Sequence, residues 1–186
     1  SLYEFEKQTY ATFFGDMVDA GTSEKALSKW IQPRLEVIRY SLQNSPLSPQ
    51  LKTAIRDGLA DNDLLSKKDP SRSTGVFLRS DTNVEDQDNF NGAGLNLTIF
   101  NLDSLDDIYA GLKEVWASPF TFRSFSWRQT VIDQPLWVLP SVVILESIPS
   151  EKSGVVVSAD IDTGESGKIL IATSEGVGGA VDGTPA

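Results

Sequence analysis

Val76-Phe77-Leu78-Arg79-Ser80-Asp81-Thr82-Asn83-Val84-Glu85-Asp86 is the stretch on which the reading of this chain turns. An apolar run enters from Gly75 and ends in polar residues at Ser80, the pattern of a short buried strand with a functional end. The polar, glycine-containing segment from Asp81 to Gly94 reads as a loop. An arginine delivered by such a strand into hydroxyls and carboxylates suits an anion, because a guanidinium holds phosphate oxygens bidentately. The competing reading is an ion pair of Arg79 with Glu85 or Asp86, and the residues alone leave both open.

Upstream the pattern is helical. Leu2, Phe5, Tyr10, Phe13, Phe14 and Met17 recur near helical spacing, and Gly21 ends that helix. Thr22 or Ser23 before Glu24 predicts a cap; Leu27, Trp30, Ile31, Leu35, Ile38 and Leu42 then give a helix face interrupted near Pro33. Ser48-Pro49-Gln50 opens a third helix, and Asp61 to Ser73 reads as a loop.

Downstream, Leu95 to Phe100 alternates as a strand with Leu95, Leu97 and Ile99 on one face. A helix is predicted from about Ser104 to Ala117, and Ser118-Pro119 restarts one carrying Arg123 and Arg128. Trp137 to Ile148, Gly154 to Asp160 and Lys168 to Thr173 read as strands, the last two joined into a hairpin by Asp162-Thr163-Gly164-Glu165. Helices first and strands later predict an α+β fold: a helical N-terminal region over 1–73, then a mixed β-sheet over 74–186.

Sixteen basic against 26 acidic side chains give the 186 residues a formal charge of −10. Such a surface repels phosphate backbones and anionic lipid, which argues against nucleic acid or a membrane as the main partner. It leaves room for a small polyphosphate, since a few arginines and backbone N–H groups set the local field. There is no cysteine and no histidine. That removes disulfides, thiolate chemistry, the commonest general base and any phosphohistidine carrier. With no membrane-length apolar run and no signal peptide, a cytoplasmic protein is expected. A start at Ser1 without Met, and a stop at Gly183-Thr184-Pro185-Ala186 after a glycine-rich turn, are expected of a fragment.

Two further stretches suit a nucleotide. Ser174-Glu175-Gly176-Val177-Gly178-Gly179-Ala180 follows a strand, and its glycines let a ligand approach the backbone closely. It lacks the ending of a P-loop and is not a Rossmann fingerprint, so a plain tight turn is the alternative. Val142-Val143-Ile144-Leu145-Glu146-Ser147-Ile148-Pro149 is a strand whose edge can take an adenine by backbone hydrogen bonds, or simply a core strand. The aromatic helix from Trp116 to Trp127 is read as packing on a sheet rather than stacking on bases, with Arg123 and Arg128 able to leave it toward a phosphate. No carboxylate spacing singles out an acid/base pair or a metal clamp.

The order of these blocks resembles the ATP-binding domain of the pyruvate phosphate dikinase and phosphoenolpyruvate synthase family. Leu78-Arg79-Ser80 with Glu85-Asp86 is similar to its valine-arginine-serine-serine … glutamate-aspartate motif. Ala93-Gly94, Thr98 and Asn101 match its next blocks. Trp116-Ala117-Ser118 with Arg123, Trp127 and Arg128 matches its tryptophan-alanine-serine … arginine … tyrosine-arginine. Ser153-Gly154-Val155-Val156-Val157-Ser158 and Gly176-Val177-Gly178 follow in register. The segment Asn91 to Leu95 also resembles glucan water dikinases.

The resemblance implies a partial ATP-grasp domain that binds ATP between two lobes. It puts Arg79 and Ser80 at the phosphates with Arg123 or Arg128 assisting, and Glu146, Ser147 and Ile148 along the adenine. Ser158, Glu175, Gly176 and Gly178 would line the cleft. The family moves the β-phosphoryl of ATP to a histidine on another domain and on to pyruvate or a glucan, releasing AMP and phosphate. Its glycine-glycine-lysine-glycine segment would precede Ser1, and its acidic metal-binding strand would follow Ala186. No catalytic or Mg²⁺-binding residue is therefore expected within the chain. Leu145 and Gly179 stand where the family usually has Gln and Glu, which leaves open a non-catalytic nucleotide-binding module.

Overall fold

The computed structural model describes residues 1–64, 75–84, 86–87, 90–92, 94–129, 132, 135–160 and 163–178. Helix α1 (Leu2–Ala11) starts on Ser1, whose hydroxyl accepts the Glu4 N–H, and continues as a π-helical segment over Thr12–Val18. Gly21, at φ 71°, lets the chain turn. Helix α2 (Glu24–Asn44) follows Ser23 and continues through Pro33 without a break. Ile31, Leu35 and Ile38 are buried on either side of that proline. Their anchoring outweighs an internal proline's cost of about 3 kcal/mol, which is why the expected interruption does not occur. Helix α3 (Pro49–Asp61) has proline in its first turn, and the Ser48 hydroxyl accepts the Leu51 N–H at 3.2 Å. Most of the predicted loop from Asp61 to Ser73 lies outside the described residues.

Strand β1 (Val76–Thr82) is the centre of a three-stranded sheet. Its neighbours are β4 (Thr98–Leu102) and β5 (Pro140–Glu146), both antiparallel to it. Within the predicted 81–94 loop, β2 (Asp86–Gln87) and β3 (Phe90–Asn91) form a two-residue pair. Helix α4 (Leu105–Ala117), capped by the Ser104 hydroxyl, packs on β1, β4 and β5. A 3₁₀ turn at Ser118–Phe120 leads into α5 (Phe122–Arg128). Strands β6 (Lys152–Ala159) and β7 (Ser166–Glu175) form the expected hairpin, although Asp162 of its turn is outside the described residues. The class is α+β, with antiparallel pairing throughout the described strands. No described helix is long and apolar enough to cross a membrane.

Two cores hold these elements. Tyr10, Phe13, Ile31, Leu35 and Ile38 from the N-terminal helices close around Phe120 and Phe125. The second core joins Leu59 of α3 and Val76 and Leu78 of β1 to Ile108, Leu112 and Val115 of α4. Each fully buried Val or Leu there contributes about 1.5–3 kcal/mol. Gly111 lets α4 seat closely, because a Cβ there would lie 2.8 Å from Leu78 Cδ1 and 3.0 Å from Leu102 Cδ1.

Candidate functional site

Strand β1 does not end at Ser80. Ser80, Asp81 and Thr82 keep pairing with Val142, Ser141 and Pro140, so Arg79 stands in mid-strand. Alternation sends Val76, Leu78, Ser80 and Thr82 to the buried, helix-covered face, and Phe77, Arg79 and Asp81 to the other. Register carries the open face outward: Arg79 lies beside Thr98 on β4 and Val143 on β5, and Phe77 beside Leu145. Val143 and Leu145 are 39% and 43% exposed. Arg79 is exposed and has no ion pair or side-chain hydrogen bond among the described residues. Glu85 is outside the described residues, as is the side chain of Asp86.

The glycine-rich turn meets this face. Phe77 and Phe100 pack edge to face at 4.9 Å. Gly178, at φ 83°, sits so close to Phe100 that a Cβ would lie 2.7 Å from its Cε2. The Ser153 hydroxyl donates to Gly178 O at 2.8 Å, Ser174 donates to the same carbonyl, and the Gly176 N–H donates to Glu151 O. The turn from Glu175 to Gly178 is thus fixed beside the strand that carries Arg79. Gly179 lies outside the described residues.

Arg123 lies apart from Arg79's strand but shares a border with it. It lines a recess of about 400 Å³ with Arg39, Asn96, Leu97, Thr98 and Glu114. Thr98 is the residue that pairs with Arg79. Glu114 is engaged by Gln43 at 2.7 Å, whereas Arg39 and Arg123 have no hydrogen bond or ion pair among the described residues. Two guanidiniums against the single Glu114 carboxylate leave this recess net positive on a chain of net charge −10, which favours an anion. Arg39 was missed by sequence reasoning because on α2 it reads as an ordinary polar-face residue. Only folding brings it within reach of α5.

Arg128 goes elsewhere. It is 2% exposed, and its Nη1 donates to Ser124 Oγ at 3.1 Å. Burial pulls its pKa down to about 10, opposed by Tyr10 and Glu6. Burial likewise pushes Glu6 up to about 6, with Arg128 opposing. The same face of α5 that packs Phe125 takes Arg128 inward toward α1, away from the recess.

The remaining expected residues are spread. Ser80 is 5% exposed on the helix side of β1, opposite to Arg79. At the end of β5, the Ser147 N–H donates to Gly75 O at 2.9 Å, its side chain is buried, and Ile148 is exposed. Glu146 borders a second recess with Ile55, Gly58, Asn62 and Ile144. Ser158 is exposed on β6, between the Val157–Leu170 and Ala159–Ser166 pairs where the register shifts. No group of three or more carboxylates gathers among the described residues. They do not by themselves make a divalent-cation site.

An arginine on an open sheet face, a fixed glycine turn against it and a neighbouring basic recess define a class: a domain shaped to hold an anionic ligand against a sheet. A model of the family described as "Pyruvate phosphate dikinase, AMP/ATP-binding domain" matches residues 16–185. The chain belongs to that family, as a dikinase-type nucleotide-binding domain. It is 31% identical over 143 residues to phosphoenolpyruvate synthase of Aeropyrum pernix, covering 77% of this chain and 17% of that protein. It is 29% identical over 154 residues to the phosphoenolpyruvate synthase of Pyrococcus furiosus, 83% of this chain and 18% of that protein. The Escherichia coli phosphoenolpyruvate synthase is 30% identical over 143 residues, 76% of this chain and 17% of that protein. The chain thus spans less than a fifth of the length of these relatives.

Proposed function

We propose that this chain is the ATP-binding part of a phosphoenolpyruvate synthase-like dikinase, a partial ATP-grasp domain of a cytoplasmic protein. The reading has 1–73 as a helical lead-in and 74–186 as the nucleotide-binding unit. The observation that carries it is Arg79: a guanidinium without a described partner, on the sheet face that also receives the Glu175–Gly178 turn.

The ligand's parts have matching surroundings. Arg79 holds phosphate oxygens bidentately, and Arg123 with Arg39 extends the positive field past Thr98. The adenine lies at the end of β5. Because the Ser147 N–H bonds to Gly75 O, alternation turns the backbone N–H and C=O of Glu146, the last residue of β5, to the opposite edge. Those are the backbone groups an adenine edge can use, with Leu145 and Ile148 supplying apolar surface. Ser158 and the glycine turn border the cleft.

This chain's share of catalysis is positioning and charge neutralisation, the main contributions in phosphoryl transfer. Mg²⁺ would offset phosphate charge, held by residues beyond the described ones. The β-phosphoryl would pass to a histidine of another domain and then to pyruvate, with water taking the γ-phosphoryl, so that AMP and phosphate are left.

The test is an ATP–Mg²⁺ titration of the full-length protein and its Arg79→Ala variant. Loss of a charge-assisted contact weakens binding about tenfold or more. Equal affinities would remove Arg79 from the site. AMP release on adding pyruvate, and none on adding a glucan, fixes the acceptor; the reverse result assigns the chain to a glucan dikinase. Binding with neither release makes it a non-catalytic module.

A further inference from the structure

Arg128 is a buried cation whose Nε and Nη2 have no hydrogen-bond partner among the described residues. Such a group is a poor source of stability, since a well-packed apolar side chain in its place is often neutral or better. Its one described bond leads to the recess. Arg128 Nη1 donates to Ser124 Oγ, and that hydroxyl donates to Asn96 Oδ1 at 3.0 Å. Ser124 is fully buried one helical turn before Arg128, while the adjacent Arg123 points outward into the recess. The next residue of the loop is tied as well: the Leu97 N–H donates to Ser118 Oγ at 3.0 Å, and Ser118 donates to Val115 O at 2.8 Å. Gly94 to Thr98 forms one wall of the recess and Arg123 part of another. The relay therefore ties one wall of the recess to the helix that carries Arg123.

We propose that Arg128 and Ser124 are positioning residues that act through Asn96 to hold the Gly94–Thr98 wall against Arg123, fixing the recess in the shape that takes a phosphoryl group. The geometry of the wall stands on its own, whereas the ligand's identity rests on the nucleotide reading above. The hydroxyl between the two side chains is the essential link. With its own proton engaged by Asn96 it accepts from Arg128, so the cation polarises the bond that holds the loop.

The experiment compares the full-length protein with its Ser124→Ala and Arg128→Met variants, by amide hydrogen exchange over 94–98 and by ATP–Mg²⁺ titration. Ser124→Ala removes the link with little change of volume, so it reports even if Arg128→Met fails to fold. Loss of one hydrogen bond predicts about five- to tenfold faster exchange at the Leu97 amide, with a similar loss of ATP affinity. The melting midpoint checks that the variant is folded. Unchanged exchange at 94–98 overturns the proposal whatever happens to ATP. Faster exchange with unchanged ATP affinity overturns the role in ligand binding. If the wall loosens and the unmodified protein binds no ATP, the positioning of the wall holds and the nucleotide reading is what fails.

Discussion

Replacing Gly75 by alanine tests the hinge on which both halves of the proposed site depend. Gly75 precedes β1 at φ 151°, a backbone conformation that residues with a Cβ rarely adopt. A Cβ there would lie 2.4 Å from Leu102 O, 2.7 Å from Leu102 C and 3.0 Å from Asn101 C, all of them backbone atoms of β4. No rotamer change relieves that, so either β4 shifts or Gly75 takes another φ. Holding a Cβ-bearing residue at such an angle costs about 1–3 kcal/mol, and overpacking adds about 1–3 more. We therefore expect Gly75→Ala to destabilise the domain by about 3 kcal/mol. For a domain of this size that is a fall in melting midpoint of about 6–12 °C. Thermal unfolding followed by circular dichroism reads it directly. The Gly75 carbonyl also accepts the Ser147 N–H, so a displaced Gly75 frees the end of β5 and weakens nucleotide binding in the folded fraction. A midpoint within 2 °C of the unmodified protein, by the same roughly 2–4 °C per kcal/mol, would refute the reasoning.

Gly58→Ala should act in the opposite sense: a Cβ there meets nothing within 4 Å on α3, so helix propensity alone predicts a gain of about 0.5–1 kcal/mol in the same melt. Ser104→Ala removes the hydroxyl that accepts the Asp107 N–H at the start of α4, and about 1 kcal/mol of stability should go with it. Glu6 gives a pH dependence. Its folded pKa, about 6, lies above the ordinary 4.5, chiefly through burial. The folded state therefore holds that proton more tightly than the unfolded chain. The resulting penalty is full above about pH 6 and fades as pH falls toward 4.5. Glu6→Gln should stabilise the domain at pH 7–8, by less than about 1 kcal/mol given the group's partial exposure, and have little effect near pH 4.5. A gain that grows as the pH is lowered would contradict this sign.

Elements with strong local signals were legible in the sequence. Ser48-Pro49 and Ser104 mark their helix starts because a hydroxyl cap and a first-turn proline act within one turn of chain. The β6–β7 hairpin follows from alternation broken by a glycine turn. Where distant packing outweighs local preference, the same reasoning misplaces boundaries. Pro33 should have broken α2, yet the helix continues through it with Ile31, Leu35 and Ile38 buried on either side. Leu95 to Phe100 alternates from its first residue, but Leu97 gives its N–H to Ser118 instead of to a strand, and β4 begins at Thr98.

Residue types in the site were legible in a way that their grouping was not. Adjacent residues on a strand face opposite ways, so within β1 Arg79 and Ser80 present their side chains to different faces of the sheet. Ser80 instead lines the buried face opposite Val142, beside the Leu78–Ile144 pair. A helix makes the complementary distinction between Arg123 and Arg128. Five residues apart, they sit well over one turn from each other, and the apolar stripe that buries Phe125 draws the second inward. Arg39 shows the reverse, since nothing local marks it and α2 must first cross α4 near Glu114 before it can serve the recess. Sequence motifs therefore report which atoms a binding site has to choose from. The side of the sheet, the turn of the helix and the crossing of two helices choose among them, which makes the open face of β1, rather than the arginine-serine motif as a unit, the feature that mutagenesis should dissect.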